Sequence, residues 1–445
     1  MKRTLTRKTM ISSYIAVALG SQLAIAPSFA SVFDDSAFIN DSTLSMKLRN
    51  EYRHAERPSA NDGVYGPEID AWVQGFLFDF ESGKIADTVS IQAGSYIIEK
   101  LRANPDRSTR MYLDGHESFT INYANLSLDF GEKAKFKIGQ FGTDYFYGTL
   151  DYSIPLIDNS SVRTAPSLNE GAFYEGKFGN FRLYGMYSQK YAGGYYQNWT
   201  DEGFVTDISL APTGDKFIMD IDKKPQYTVA GLWDNKSTVI SLGASYQEDL
   251  SWQAMSRGSH SWVNPDVGYF KAEYVGFYAE SIGLSLDRNK AMGADDSTYV
   301  VSGQLLWNKD KVTVIGSAGQ TGPKLPGNFD IDTDLGFSFD QSIDRNHYDT
   351  FSWQLGSFYK ATDAIDMGLA LVVTDGYEDR DHNVNIEGLG ANLILSYTVQ
   401  DGPLKGLKTM GIFNKAQEYR EGSKLGDKLD YYDIKVTVHY DFNLF

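Results

Sequence analysis

Tyr431-Tyr-Asp-Ile-Lys-Val-Thr-Val-His-Tyr-Asp-Phe-Asn-Leu-Phe445 reads with a period of two. Its even positions, Tyr432, Ile434, Val436, Val438, Tyr440, Phe442 and Leu444, are all apolar or aromatic. Its odd positions from Asp433, namely Asp433, Lys435, Thr437, His439, Asp441 and Asn443, are all polar. Successive side chains on a β-strand point to opposite faces, so this stretch is a strand with one apolar and one polar face. A soluble sheet seldom leaves such a strand at an unpaired edge. A closed barrel in a membrane needs it, because the last strand pairs with the first and its apolar face meets lipid. The strand near Leu44 is the expected partner. By alternation alone, Phe445 falls on the polar side.

The same alternation recurs along the chain. Leu44, Met46, Leu48 and Tyr52 oppose Ser45, Lys47, Arg49, Glu51 and Arg53. Thr238, Ile240, Leu242, Ala244 and Tyr246 oppose Val239, Ser241, Gly243, Ser245 and Gln247, and Leu389 to Val399 repeats the pattern. Long helical periodicity is missing. Turn signals fall at Gly131-Glu132-Lys133, Lys177 to Asn180, Asp234-Asn235-Lys236, Asn308-Lys309-Asp310, Thr362-Asp363 and Asp401-Gly402-Pro403. Long connections are expected near 102–115, 142–169, 191–223, 248–266, 321–347, 375–387 and 417–428. Alternating short and long connections describe an outer-membrane barrel with periplasmic turns and extracellular loops. The fold expected is all-β: a transmembrane antiparallel β-barrel of about 18 strands, some loops folded inward, in one domain. The 267–295 region carries the weakest strand pattern.

The first thirty residues read as an export leader. Lys2, Arg3, Arg7 and Lys8 precede a moderately apolar run, and Ser28-Phe29-Ala30 is a small-x-small cleavage site. This divides the chain into a cleaved signal peptide, 1–30, and a barrel domain, 31–445, destined for the bacterial outer membrane. Without those four bases the formal charge of -17 becomes -21. Such a surface repels nucleic acid, which is excluded as a partner. The chain has no cysteine, hence no disulfide and no thiolate chemistry. Mean hydropathy is -0.35, as alternating strands average out. Aromatic residues make up 14% of the chain, suiting interfacial girdles and ring-stacking surfaces.

Enzyme motifs are scarce, and no catalytic residue, metal site or cofactor is assigned. The six histidines lack metal-type spacing, and no G-x-S-x-G or phosphate-cradling loop occurs. Asp330, Asp332 and Asp334 lack the glycine and glutamate of a calcium loop. They, and the cluster Asp375, Glu378, Asp379 and Asp381, read as solvated acidic loops. The connection from Phe141 to Gly171 is different. Its Tyr145, Phe146, Tyr147 and Tyr152 need burial, and an inward fold would narrow the lumen. Tyr147, Asp151, Asp158 and Arg163 are then the constriction candidates, with acids and bases creating a transverse field.

At these residues the chain resembles the OprD family of substrate-selective outer-membrane porins. The resemblance is carried by Leu44-Ser-Met-Lys-Leu-Arg-Asn-Glu-Tyr52, Trp72-Val-Gln-Gly-Phe76 through Phe80-Glu-Ser-Gly83, Asp158 to Arg163 with Pro166 and Gly171, and Tyr397-Thr-Val-Gln-Asp-Gly402 with Lys405. It implies an eighteen-stranded barrel, monomeric or homotrimeric, whose lumen is narrowed by inward loops and lined by a basic ladder. Lys47, Arg49, Arg53, Lys408 and Lys435 are the rungs it points to. Members pass amino acids and other small carboxylates, and a chitoporin branch passes chitooligosaccharides. The strand after the Gly402 turn reads Lys408-Thr-Met-Gly-Ile412, where a carboxylate channel has alternating arginines. The expectation is therefore passive, substrate-selective diffusion, with (chito)oligosaccharides ahead of carboxylates. A barrel hydrolase and a purely structural or adhesive barrel are the other classes. The expected partners are outer-membrane lipid and lipopolysaccharide, the barrel-assembly machinery and a small hydrophilic solute.

Overall fold

The computed structural model describes residues 37–56, 68–104, 118–143, 154–157, 165–193, 196–200, 208–209, 216–217, 224–323, 336–338, 340, 342–343, 347–423 and 428–445. The leader expected at 1–30 lies outside them. A four-residue helix α1 (Ala37–Asn40) leads into the sheet. The strands that follow are β1 (Thr43–Glu56), β2 (Ile69–Glu81), β3 (Val89–Ala103), β4 (Ser118–Asp129), β5 (Ala134–Phe141), β6 (Leu168–Phe178) and β7 (Phe181–Gly193). Three short strands, β8 (Tyr196–Thr200), β9 (Ile208–Ser209) and β10 (Lys216–Phe217), belong to the next connection. The wall resumes with β11 (Gln226–Asp234), β12 (Thr238–Gln247), β13 (Ser251–Asn264) and β14 (Gly268–Ser281), then a ten-residue helix α2 (Gly283–Met292). It finishes with β15 (Ser297–Lys309), β16 (Val312–Thr321), β17 (Tyr348–Lys360), β18 (Ile365–Tyr377), β19 (Asn385–Thr398), β20 (Lys408–Tyr419) and β21 (Lys428–Asn443).

Setting β8, β9 and β10 aside, eighteen antiparallel strands pair neighbour to neighbour, and β7 pairs directly with β11. The closing strand pairs with β1 in the register Ser45↔Asn443 to Glu56↔Tyr432. Pairing continues to the chain end: the Leu44 N–H donates to the Phe445 carbonyl at 3.1 Å and the Leu444 N–H to the Leu44 carbonyl at 2.7 Å. The expected seam is therefore present, and every strand has two neighbours, as hydrocarbon demands.

The two faces separate by residue type. On β1, β5 and β21 the odd positions point inward; on β7, β19 and β20 the even ones do. Outward residues such as Leu242, Leu305, Val301, Leu355 and Leu369 are more than half exposed, the solvent for such a face being lipid. The tight turns expected from sequence all join strands at one end. Gly131 and Gly179 sit there with φ +69° and +62°, a left-handed backbone that glycine adopts without strain.

One expectation fails. The segment 248–266 is not a long connection: residues 248–250 make a tight turn and Ser251–Asn264 is strand β13. Its inward side carries Ser251, Gln253, Arg257, Ser259 and Ser261. Its outward side carries Ala254, Ser256, Gly258 and His260 between two tryptophans. Neither side is strongly apolar, so alternation is invisible there, yet full pairing with β12 and β14 fixes the strand. The weak pattern of 267–295 reflects a strand ending in helix α2.

Candidate functional site

The barrel interior is not an open pipe, because two connections enter it. From the connection between β5 and β6, Ile154 and Ile157 pack with Phe141, Phe173, Tyr184, Met186, Ala230, Leu232 and Val239. Pro155 lies on Gly243 of β12, where a Cβ would fall 2.7 Å from the Pro155 carbonyl oxygen and 2.8 Å from its Cβ. Leu156 turns instead toward Met255, Val275, Phe277, Ala279 and Val300. Phe337, from the connection between β16 and β17, joins that cluster. Further along that second connection, Ile343 packs with Ala416, Leu429 and Tyr431. The inward fold expected for the Phe141–Gly171 connection is thus present at 154–157. Its expected constriction residues Tyr147, Asp151, Asp158 and Arg163 lie outside the described residues.

The five expected rungs all occupy inward positions on three adjacent strands. Register places Arg53 of β1 opposite Lys435 of β21, Arg49 opposite His439, and Lys47 opposite Asp441. On the other side of β21, Lys408 of β20 lies opposite His439. Lys408, His439 and Arg49 therefore form one row across the seam; the next inward row holds Glu51 and Thr437, and Lys435 and Arg53 form part of the one beyond it. Of these pairs only Arg53 with Lys435 sets like charges directly opposite, which is destabilising on a sheet, so folding gives no reason for that pair. Counter-charges are threaded through the seam. Arg53 is clamped to Asp433 at 2.5 Å, Lys47 Nζ is 3.9 Å from Asp79, and His439 Nε2 is 3.9 Å from the buried Glu51. After Lys408 the inward positions of β20 are Met410 and Ile412, so the ladder stops there, as its sequence indicates.

The inward connection and this basic seam face each other. Among eighteen strands, β12 is ninth and β21 eighteenth, so Gly243 with its Pro155 sits across the lumen from Lys435 and Arg53. Further inward cations stand away from the seam: Lys137 on β5, Arg257 on β13, and Lys271 on β14, the last 2.8 Å from Glu273.

Near the loop-bearing end, Glu418 accepts hydrogen bonds at 2.5 Å from both Arg420 and the Tyr431 hydroxyl. His347 lies 3.8 Å from the same carboxylate and Glu378 3.7 Å from Arg420. Burial pushes the Arg420 guanidinium below its ordinary pKa. The acidic cluster 375–381 is held by bases: besides Glu378, Arg380 pairs with Asp295 at 3.2 Å across the mouth. Among the described residues no three acids or histidines converge as a metal site.

Six tryptophans face away from the pore. Trp72, Trp233, Trp252, Trp262, Trp307 and Trp353 all take outward positions. Inward tyrosines Tyr96, Tyr123, Tyr184 and Tyr431 are each under 5% exposed. Sequence periodicity alone could have assigned Trp72, Trp233, Trp307 and Trp353, which share their strands' apolar parity; on β13, with Trp252 and Trp262, it could not.

A closed eighteen-stranded barrel with an apolar outer face, inward connections and a charged lumen defines a substrate-selective outer-membrane diffusion channel. The family profile for "outer membrane porin, OprD family" matches residues 36–186. Over 441 residues the chain is 38% identical to Membrane-associated protein UidC of Escherichia coli K12, spanning 98% of this chain and all of that protein. It is similar in fold to Acinetobacter baumannii OccAB3 (TM-score 0.73, 18% identity, 91% of this chain and 100% of that one). It is likewise similar to Pseudomonas aeruginosa OpdK, solved with vanillate (TM-score 0.70, 17% identity, the same coverage). The chain belongs to the OprD family of outer-membrane porins. Its role is transport without catalysis.

Proposed function

We propose that this porin passes small carboxylates, drawn down their gradient along the basic seam. The observation that carries the reading is the row Lys408–His439–Arg49, with Lys435 and Arg53 above it, facing the inward connection across the lumen. Cations gathered on one wall of a narrowed pore raise the local concentration of anions. OpdK, a protein of the same fold, was solved with vanillate, an aromatic carboxylate.

The oligosaccharide expectation loses its main support. Sugars slide on exposed aromatic faces, whereas Trp72, Trp233, Trp252, Trp262, Trp307 and Trp353 face lipid and the inward Tyr96, Tyr123, Tyr184 and Tyr431 are covered. A neutral sugar also has no use for opposed like charges. Tyr147, Asp151, Asp158 and Arg163 remain the proposed constriction groups, with Arg163 supplying a further cation. The same reading has 1–30 removed on export, and 31–445 inserted by the barrel-assembly machinery among outer-membrane lipid and lipopolysaccharide.

Planar-bilayer recording tests this. Purified porin should show discrete steps, a reversal potential favouring anions, and current block by small aromatic and aliphatic carboxylates. Block by chitooligosaccharides with no response to carboxylates would overturn the substrate class and restore the sugar reading.

A further inference from the structure

Asp340 belongs to the second inward connection, and its carboxylate is set into the barrel wall. Oδ2 accepts from Asn392 Nδ2 at 3.1 Å and Asn414 Nδ2 at 2.9 Å. Oδ1 accepts from the backbone N–H groups of Ser342 and Ile343 at 2.9 and 3.0 Å. Asn392 and Asn414 are inward residues of β19 and β20, 0% and 2% exposed, and Asn414 also donates to Asn392 at 3.0 Å. The four donors satisfy an anion, and among the described residues no cation pairs with it. An unpaired buried carboxylate is costly, so this socket has a reason beyond filling space.

The wall is shaped to receive it. A Cβ on Gly390 would collide with the Asp340 carboxylate, and one on Gly388 would fall 2.9 Å from Ile343 Cγ2. Neither glycine has a positive φ, so space and not backbone conformation accounts for them. Ser342 adds a hydrogen bond to Asn414 Oδ1 at 2.5 Å. The other end of the described segment is fastened to a different arc. The Phe337 N–H donates to Ser302 Oγ at 3.1 Å, and Ser338 Oγ lies 3.3 Å from Ser317 Oγ. Ser302 and Ser317 are on β15 and β16, four strands from β19 and β20. Phe337 and Ser338 on one side and Asp340, Ser342 and Ile343 on the other thus mark a chord of the lumen between two fixed points.

We infer that Asp340 is the positioning residue of this chord: seated in the Asn392–Asn414 socket, it fixes how much of the lumen stays open and keeps solute against the basic seam. It touches no solute. The hydroxyl contacts at Ser302 and Ser317 are interchangeable with water, whereas a carboxylate with four donors admits one geometry.

Single-channel recording of the full porin tests the inference. Asp340→Ala removes the oxygen that Asn392 Nδ2 and Asn414 Nδ2 both donate to and frees that end of the chord. Unitary conductance should rise at least about twofold, with anion selectivity weakened, while the folded barrel keeps its heat-modifiable gel mobility. The double exchange Asp340→Asn with Asn392→Asp moves the carboxylate to the wall and re-forms the amide–carboxylate bond between the two positions, at the loss of the Asn414 Nδ2 bond to residue 340; it should recover part of the wild-type conductance and selectivity. Should Asp340→Ala fail to fold, Asn392→Ser, which removes one donor, should produce the same change at smaller size. A folded Asp340→Ala or Asn392→Ser porin with wild-type conductance and selectivity would overturn the inference. So would a double exchange that folds but stays as altered as Asp340→Ala. Absence of any conductance in the wild-type protein would sink the channel reading itself, a separate outcome.

Discussion

Arg53 and Asp433, 380 positions apart, close the barrel with a two-point ion pair: Arg53 Nη2 lies 2.5 Å from Asp433 Oδ2, and Nε lies 3.2 and 3.1 Å from the two carboxylate oxygens. Both side chains are buried, Asp433 completely. The strand that declares the fold therefore also supplies the counter-ion for one rung of the charged wall. Arg53 is partly neutralised by that pairing.

Removing Asp433 should expose this dependence. Asp433→Ala strands a buried guanidinium at the seam, a change that costs roughly 3–5 kcal/mol when one partner of a buried pair is deleted. Denaturant unfolding of vesicle-inserted porin should show the loss, and the paired replacement Arg53→Met with Asp433→Leu should recover most of it. An unchanged midpoint for Asp433→Ala would mean that another acid compensates Arg53.

Tyr431, Glu418 and Arg420 offer a second test of seam energetics at the other end of the wall. The Tyr431 hydroxyl and Arg420 share one carboxylate oxygen of Glu418, and all three are nearly or fully buried. Tyr431→Phe removes a single hydrogen bond to a charged group, worth about 1.5–3 kcal/mol, without altering the ring packing on Ile343 and Leu429. Stability should fall by that amount while the conductance step stays the same. Altered conductance would show that this cluster also positions the second connection.

How much of this was readable in one dimension depends on where the cause lies. The strand faces of β1, β12, β19 and β21 were legible because lipid and lumen impose opposite polarities on alternate residues. Lys47, Arg49, Arg53 and Lys435 were legible for the same reason. Strand β13 was not, since its two faces differ little and its place comes from its neighbours' hydrogen bonds. The contact of Pro155 on Gly243, and of Asp340 in its socket, joins residues far apart in sequence. In the sequence they leave only a glycine at an inward position where nothing local asks for one.

Gly243 can be tested on that ground. Its backbone is not in the left-handed region, so alanine is allowed by conformation and opposed only by Pro155. Gly243→Ala should cost about 1–3 kcal/mol of local repacking or push the 154–157 segment away from the wall. The barrel should still assemble, with single-channel current noisier and changed in size. Wild-type conductance and noise would place Pro155 outside the narrow part of the pore.

Lys435 and Arg49 carry the functional claim most directly. A unit charge about 6 Å from a passing ion in a water-filled lumen is worth roughly 0.7 kcal/mol, about threefold in local anion concentration. Lys435→Gln should therefore lower the anion-to-cation permeability ratio about threefold, read as a shift of reversal potential across a salt gradient. Arg49→Gln should do the same, and the double variant should approach the product because the two occupy different rows of the seam. High salt should shrink all three shifts by screening. The contrast is Lys415, which takes an outward position on β20 and lies 3.9 Å from Asp430. Lys415→Gln removes the same charge from the wrong side of the wall and should leave the reversal potential alone. Equal shifts from Lys415 and Lys435 would mean that net charge, and not the lumen row, sets the selectivity, and the carboxylate pathway would lose its foundation.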